Sequence, residues 1–468
     1  MSKFPADGPG VGVSAIPPCI GDRAQVGNVV AGAQEASKRL FQLMLEDALR
    51  VRLGPHMEHI SDPVLRKSFF APLSDALASS LHQRDCPAFT DAEFLELGVT
   101  RVICDPRSGR GFLQQIGAHI QSCPQRSSFF EQLKSVRRLQ MLSDVTERVA
   151  TMVSTRAELP EELADHDIYA GDGHWHGAAA HDSMIDDKRW AVGHIYALNL
   201  RTRALHHLDL TQGKKEHDMS VLKRLGADTL RMGAKKRHRV IWVWDRAGID
   251  FELWRNWKNT RGIYFISRTK DNMAFTTASP MPRDPDRPVD PNVLSDERCL
   301  SGQGTEVRLI RYRDPVSATV YEFVTTVFHL PADIIAWLYK SRWNIEKVFD
   351  QLKNKFDESK AWATSDTAKS IQAKFLCLAH NLLELFEVQL ETEHHIRNEA
   401  GLLRREKRAA EYTAAAKEKG HVLSSLLKRL FQPLQRSIKL IRWLRSHWFS
   451  SDPLSRILPD LARSYAHS

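Results

Sequence analysis

An α/β core set between two helical regions is the fold class this sequence predicts, on three observations. The first 155 or so residues carry helical periodicity; from Asp167 the apolar spacing shifts to the period of two that marks strands; and Val240-Ile241-Trp242-Val243-Trp244 is apolar at every position before it ends on Asp245. A run of that last kind suits a central strand covered on both faces. At 468 residues, with 42% hydrophobic and 26% charged side chains, the chain is long enough for two or three domains and has ordinary globular composition, which excludes disorder of the whole. Sixty-six basic against 57 acidic residues leave a formal charge of +9. That excess suits a polyanionic partner, although many proteins are mildly basic.

The elements follow in order. Residues 1–33 are rich in Gly and Pro, lack the apolar core of a signal peptide and read as a flexible lead-in. Residues 34–160 are helical, starting with the amphipathic stretch Ser37–Leu53, and dotted with Arg and Lys; a helical cap and a DNA-end-binding domain both fit that pattern, and the motifs further along the chain favour the second. From 161 to 270, DIYAGDGHW, WAVGHIYALNL and ALHHLDLTQ read as three strands, DMSVLKRLGADTLRMG as a helix, 240–244 as the buried strand, FELWRNWKN as a helix and GIYFISRTK as a strand. The order β-β-β-α-β-α-β is that of a ribonuclease H-like mixed sheet, in which the first and fourth strands are neighbours. Residues 271–330, rich in Pro and Asp, break the order as a β/loop insertion with strands at EVRLIRYRD and ATVYEFVTTVFHL. The core resumes over 331–365 with one strong helix from Ala332 or Asp333 to about Phe356, and 366–468 is a helical, basic C-terminal region. Six scattered cysteines without a C-x-x-C pair argue against a zinc ribbon or a disulfide framework and fit a reducing cytoplasm. No run of eighteen uncharged apolar residues suggests a membrane span.

The chemistry concentrates in Tyr339–Lys353. At 100° per residue, Tyr339, Arg342, Glu346 and Lys353 fall within an arc of about 60°, beside an apolar stripe of Leu338, Ile345, Phe349, Leu352 and Phe356. Such a helix packs by one stripe and presents an aromatic ring, two cations and a carboxylate along its flank. The arrangement suits a phosphate site, and equally a solvated face with ordinary ion pairs. Two upstream aspartates shift the balance. Asp172 lies within the first strand and Asp245 closes a wholly apolar one, where a carboxylate is costly without a partner or a metal. Asp167 competes with Asp172 but precedes the apolar strand residues, so Asp172 is preferred.

These segments resemble a known family. The spacing Y-x2-R-x3-E-x6-K, with Trp343 after the Arg, is similar to the signature of DDE-type insertion-sequence transposases; YAGDGHW resembles their first Asp motif and VWDRAGID their second. The resemblance spans roughly Asp167 to Phe356. It implies a catalytic triad of Asp172, Asp245 and Glu346 holding two Mg²⁺ or Mn²⁺ ions, with Tyr339, Arg342 and Lys353 gripping a phosphate near the cleaved DNA end. It also implies cut-and-paste transposition on double-stranded DNA (terminal inverted repeats and target) by a protein that dimerises on DNA. Some relatives pass through a DNA hairpin and hold a flipped-out base on a Trp of the β insertion. Residues 271–330 contain no Trp, so Tyr312, Tyr321 or Phe323 would have to substitute.

Two rival functions remain open. One is a cleavage-inactive, DNA-binding descendant of a transposase, whose mark would be loss of a triad carboxylate. The other is a metal-dependent hydrolase built on the cluster Asp172, His174, His176, His181 and Asp182, although the spacing after His176 departs from the H-x-H hydrolase pattern. Trp242, Trp244, Trp254 and Trp257 read as core. The basic tail, including Arg404, Arg405, Lys407, Arg408, Lys428, Arg429, Arg436, Lys439, Arg442 and Arg445, could equally bind phosphates or be a charged surface.

Overall fold

The computed structural model describes residues 65–86, 88–104, 108–117, 126–155, 159–184, 187–211, 216–288, 290–356, 360–422 and 438–466. The chain divides into two compact units, Met1–Asp62 and Pro63–Ser468, and the described residues belong to the second. The lead-in, the helix expected at Ser37–Leu53, and Lys428, Arg429 and Arg436 of the basic tail lie outside the described residues.

Among the described residues nine strands form one mixed sheet: β1 (His166–His176), β2 (Val192–Asn199), β3 (Leu205–Leu210), β4 (Arg239–Val243), β5 (Ile263–Arg268), β6 (Phe275–Pro280), β7 (Val293–Ser301), β8 (Glu306–Arg313) and β9 (Val320–Thr325), in the spatial order β3-β2-β1-β4-β5-β9-β8-β7-β6. The predicted neighbours hold: β1 pairs with β4 in parallel, with Ile168 opposite Ile241 and Ala170 opposite Val243. β2 and β3 follow as antiparallel hairpin partners, and β5 joins β4 in parallel. The mixed α/β class with a ribonuclease H-type strand order and helical flanks is therefore what the chain adopts. The region 271–330 holds more strand than the sequence suggests. Besides β8 and β9, its Pro- and Asp-rich part supplies β6 and β7, and β9 pairs antiparallel with β5, so the meander extends the core sheet.

Helices cover both faces. α1 (Leu65–Ala78), α2 (Asp91–Cys104), α3 (Gly109–Gly117), α4 (Arg126–Gln132) and α5 (Val136–Met152) precede the sheet; α6 (Asp218–Leu230) and α7 (Phe251–Arg261) lie between strands; α8 (Ala332–Ser341), α9 (Trp343–Lys355), α10 (Asp366–Thr392), α11 (Glu399–Glu418), α12 (Ile438–His447) and α13 (Leu454–Ala466) follow it. One core joins the inward residues Ile168, Ala170, Ile241, Val243 and Ile266 to the helices α1, α2, α5, α8, α9 and α10. The second joins Tyr169, Trp242, Trp244 and Phe265 to Val221 and Leu222 of α6 and Trp254 and Trp257 of α7. The period of two in each strand thus sorts its side chains between two helical layers. The four tryptophans Trp242, Trp244, Trp254 and Trp257 are core, as their setting predicted. Local signals set the helix ends: Asp250 caps α7 by accepting from Leu253 N–H at 3.1 Å, and Gly262 ends it in the left-handed region at φ 63°.

The single helix expected from Ala332 to Phe356 is two. α8 and α9 meet at Arg342, which keeps helical angles (φ −52°, ψ −35°) while Ile345 N–H donates to its carbonyl at 3.0 Å, a tightening of the turn. The N-terminal helices and the C-terminal ones share packing: Phe94 of α2 meets Phe375 of α10 at 5.2 Å, and Phe69 of α1 meets Phe386 of α10 at 5.5 Å and Trp448 at 5.2 Å. Part of the basic tail is spent inside the fold. Arg445 donates to the carbonyl of Ile103 at 2.6 Å and also to that of Lys355, while Lys439 donates to that of Ser464 at 2.7 Å. Among the described residues no helix is long and apolar enough to cross a membrane, and Cys86, Cys104, Cys299 and Cys377 form no disulfide.

Two features brace β1. Trp244 is wedged between Gly171 and Gly248: a Cβ on Gly171 would stand 1.6 Å from its Cζ3, and one on Gly248 1.6 Å from its Cδ1. We predict that Gly171→Ala expels the indole and lowers stability by about 1–3 kcal/mol, the usual cost of overpacking; a thermal midpoint equal to that of the parent would contradict the wedge. The second brace is a histidine cluster across β1, β2 and β3. His176 and His194 stack at 3.9 Å, His194 Nδ1 lies 3.1 Å from His207 Nε2, and Tyr196 Oη lies 3.3 Å from His176 Nε2. Burial holds His194 and His207 well below ordinary imidazole values, helped by neighbouring histidines and by Lys369 and Lys374 of α10. Both stay neutral in the folded chain, whereas an unfolded imidazole takes up a proton near pH 6.5. The unfolded state thus binds more protons below that pH, so stability is full above about pH 6.5 and falls as the solution is acidified. Unfolding midpoints measured from pH 7.5 to 5 should show this slope, and His194→Phe should flatten it.

Candidate active site

The parallel pairing of β1 with β4 brings the two candidate aspartates to the same end of the sheet. Asp172 lies two residues past the β1–β4 ladder, and Asp245 two residues past the end of β4. Asp245 is fixed by its surroundings. Its Oδ1 accepts from Ala247 N–H at 2.7 Å, capping the short 3₁₀ turn Arg246–Gly248, and its carbonyl accepts from Ser267 Oγ of β5 at 2.8 Å. An Asp at the end of an apolar strand is thereby satisfied through the chain that follows it.

Glu346 comes to Asp172 through Arg342. Nη1 of Arg342 donates to Asp172 Oδ2 at 2.9 Å and Nη2 to Glu346 Oε1 at 2.7 Å, with the three side chains only 12%, 18% and 31% exposed. Burial pushes Asp172 up to about 7, and Asp245 and Glu346 push it the same way against the pull of Arg342. Asp172 therefore feels the two other carboxylates, as a group in a poorly solvated site does. Tyr339, one turn before Arg342, is half-buried, its ring 6.0 Å from the Arg342 guanidinium and 4.9 Å from Phe323. Lys353 is exposed on α9 and, with burial and His176, helps to hold His174 down at about 4.

Two further groups face this site and carry no sequence signal of their own. Arg268 closes β5 opposite Phe323 of β9, stands 4.8 Å over the Tyr321 ring, and is close enough to lower the Tyr339 hydroxyl against the dominant effect of burial. Asp218 opens α6, and a Cβ on Gly173 would stand 3.3 Å from its Oδ1; burial and then Asp245 raise its carboxyl. Strand pairing places Arg268 and the packing of α6 beside β1 places Asp218, both non-local, which is why spacing along the chain could not find them. Trp343, which follows Arg342, and Trp175, in β1, are large exposed aromatics on the same segments, 48% and 42% exposed.

The expected substitutes for an insertion Trp divide. Tyr312 and Phe323 are buried in the core and present no ring to a ligand, whereas Tyr321 is half-buried beneath Arg268. The histidines of the hydrolase alternative are packed as structure: His174 stacks on Phe349 of α9 at 4.7 Å, and His176 is buried in the histidine cluster that braces β1. The three acidic residues offer oxygen donors only, the set that suits Mg²⁺ or Mn²⁺, and the repulsion evident at Asp172 is what such a cation relieves. As placed, no group of three or more His, Cys, Asp or Glu side chains among the described residues is close enough together to hold an ion; between Asp172 and Glu346 the guanidinium of Arg342 spans the gap.

No curated protein matches the chain. A solved piggyBac transposase synaptic complex with hairpin DNA aligns with 88% of this chain and 87% of its own, at 12% identity and a TM-score of 0.36. The family model of the transposase DDE domain matches residues 159–382, the stretch that contains all nine strands, both helices meeting at Arg342 and the three carboxylates, so this part of the chain is similar to a transposase DDE domain.

Proposed function

We propose that the chain is a DNA transposase that moves an insertion sequence by cut-and-paste, cleaving and rejoining DNA at a centre formed by Asp172, Asp245 and Glu346. The observation that carries this reading is the placement of the three carboxylates within the matched domain: Asp172 and Glu346 share one guanidinium, and the parallel β1–β4 ladder brings Asp245 to the same end of the sheet as Asp172. These residues would hold two Mg²⁺ or Mn²⁺ ions, which supply Lewis-acid activation of the attacking oxygen and charge stabilisation of the leaving one. The rest falls to the chain's own groups. Asp245, clamped by Ala247 N–H and Ser267 Oγ, offers a fixed carboxylate. Tyr339, Arg342 and Lys353 would grip the phosphate beside the cut, Arg342 by its fork and Lys353 as a point charge, and Arg268 adds a cation on the same side. The partners are double-stranded DNA, as terminal inverted repeats and as target, and a second copy of the chain on the paired ends.

Cleavage of a DNA fragment bearing the flanking terminal repeats tests the reading. Wild type with Mg²⁺ should nick at the repeat ends, while Asp172→Ala, Asp245→Ala and Glu346→Ala should each lose cleavage by at least about a hundredfold and retain DNA binding. DNA binding without cleavage under any divalent cation would mark a silent descendant instead. A second expectation concerns Arg268: its change to Ala should weaken binding of the repeat end uniformly across sequences and reduce the slope of log affinity against log salt by about one. An unchanged slope, measured by fluorescence anisotropy at several salt concentrations, would remove Arg268 from the DNA interface.

A further inference from the structure

We propose that Arg342 is an exchangeable counter-ion of the carboxylate centre: its guanidinium holds Asp172 and Glu346 until divalent cations take over their charge, and the same exchange frees it for a DNA phosphate, so that metal and DNA bind cooperatively. This rests on the transposase reading and adds to it a rule for how the centre is loaded.

Three observations lead there. Both terminal nitrogens of Arg342 are committed, one to Asp172 at 2.9 Å and the other to Glu346 at 2.7 Å. With both terminal nitrogens turned to carboxylates, the guanidinium does not present its end-on fork to a phosphate, and its two acceptors are residues on which the metal would depend. The exchange is also enforced by burial. All three side chains are largely out of water, so breaking the bridge with no replacement would strand charges in a poorly solvated place, at far greater cost than at the surface. Release therefore needs new charge on both sides: cations for the carboxylates and an anion for Arg342. Finally, Arg342 is poised to turn. It sits where α8 gives way to α9, its buried Nε has no hydrogen-bond partner among the described residues, and Tyr339 is the aromatic face beside it. With every carboxylate ionised, Asp172, Glu346 and Arg342 sum to −1. Asp245 makes −2, and removing the arginine makes −3, so its departure strengthens the pull on divalent cations.

The coupling must be reciprocal: if a DNA end tightens the metal, the metal tightens the DNA by the same factor. Mn²⁺ binding to the full chain, followed by electron paramagnetic resonance with and without a duplex carrying the repeat end, reads it directly. In wild type the duplex should tighten Mn²⁺ by about tenfold, within the range usual for coupled sites. Arg342→Ala and Arg342→Met, the second keeping the aliphatic stem, should bind Mn²⁺ without DNA about tenfold more tightly than wild type, and the duplex should then add little. Mn²⁺ should also raise the thermal midpoint of these variants more than that of the parent. A merely structural arginine predicts the opposite, a weaker metal site in both variants. Variants that bind Mn²⁺ no more tightly than wild type would overturn the exchange, as would wild-type affinities that do not couple, a measurement that needs no variant to fold. Asp245→Ala separates the two levels. If it removes Mn²⁺ binding while the Arg342 variants behave as wild type, only the exchange falls. If it leaves Mn²⁺ binding intact, the carboxylates are not the metal centre and the functional reading falls with it.

Discussion

Two aspartates on different strands can serve one centre only if those strands lie side by side with their ends level. The parallel ladder from His166–Arg239 to Ala170–Val243 meets that constraint, and the remaining architecture maintains it. Trp244 locks the strand ends by filling the space that Gly171 and Gly248 leave open, so the residue before each motif's turn and the glycine after it are shaped around one indole. Ser267 ties Asp245 to β5, and α9 lies across β1 with Phe349 against His174. Remove the ladder and the carboxylates belong to separate pieces of chain.

The electrostatic consequence stems from the same geometry. Burial, with the like charges of Asp245 and Glu346 behind it, raises the proton affinity of Asp172. A guanidinium between two carboxylates is one way to make such a cluster tolerable without added ions. Arg342 thus holds Asp172 of β1 and Glu346 of α9 to one another from within the fold.

Much of this was legible in the sequence because it depends on local rules. The period of two marked β1, β2 and β3; the wholly apolar run before Asp245 announced a strand covered on both faces; and helical spacing from Tyr339 to Lys353 put the cations and the carboxylate on one flank. What escaped depends on non-local pairing. β6 and β7 run through Pro- and Asp-rich sequence whose strand character comes from their neighbours rather than from apolar alternation: β7 shows one buried residue, Cys299, before Ser301. Arg268 looks like an ordinary surface charge until β9 is placed beside it, and Asp218 until β1 is. The division of the long helix at Arg342 has no Pro or Gly to announce it. The resemblance to transposases supplied roles for Tyr339, Arg342 and Lys353 that side-chain chemistry alone left as one option among others.

The continuous sheet has a mechanical meaning. β9 is hydrogen-bonded to β5 at Ile266, Ser267 and Arg268, one strand away from the strand that carries Asp245. The meander of β6 to β9 is therefore welded to the same plate as the carboxylates instead of hanging from it by a tether. Swinging it as a lid would mean unzipping ladder bonds under the centre itself. Any movement of that meander must carry β5 along with it or break the ladder that joins them.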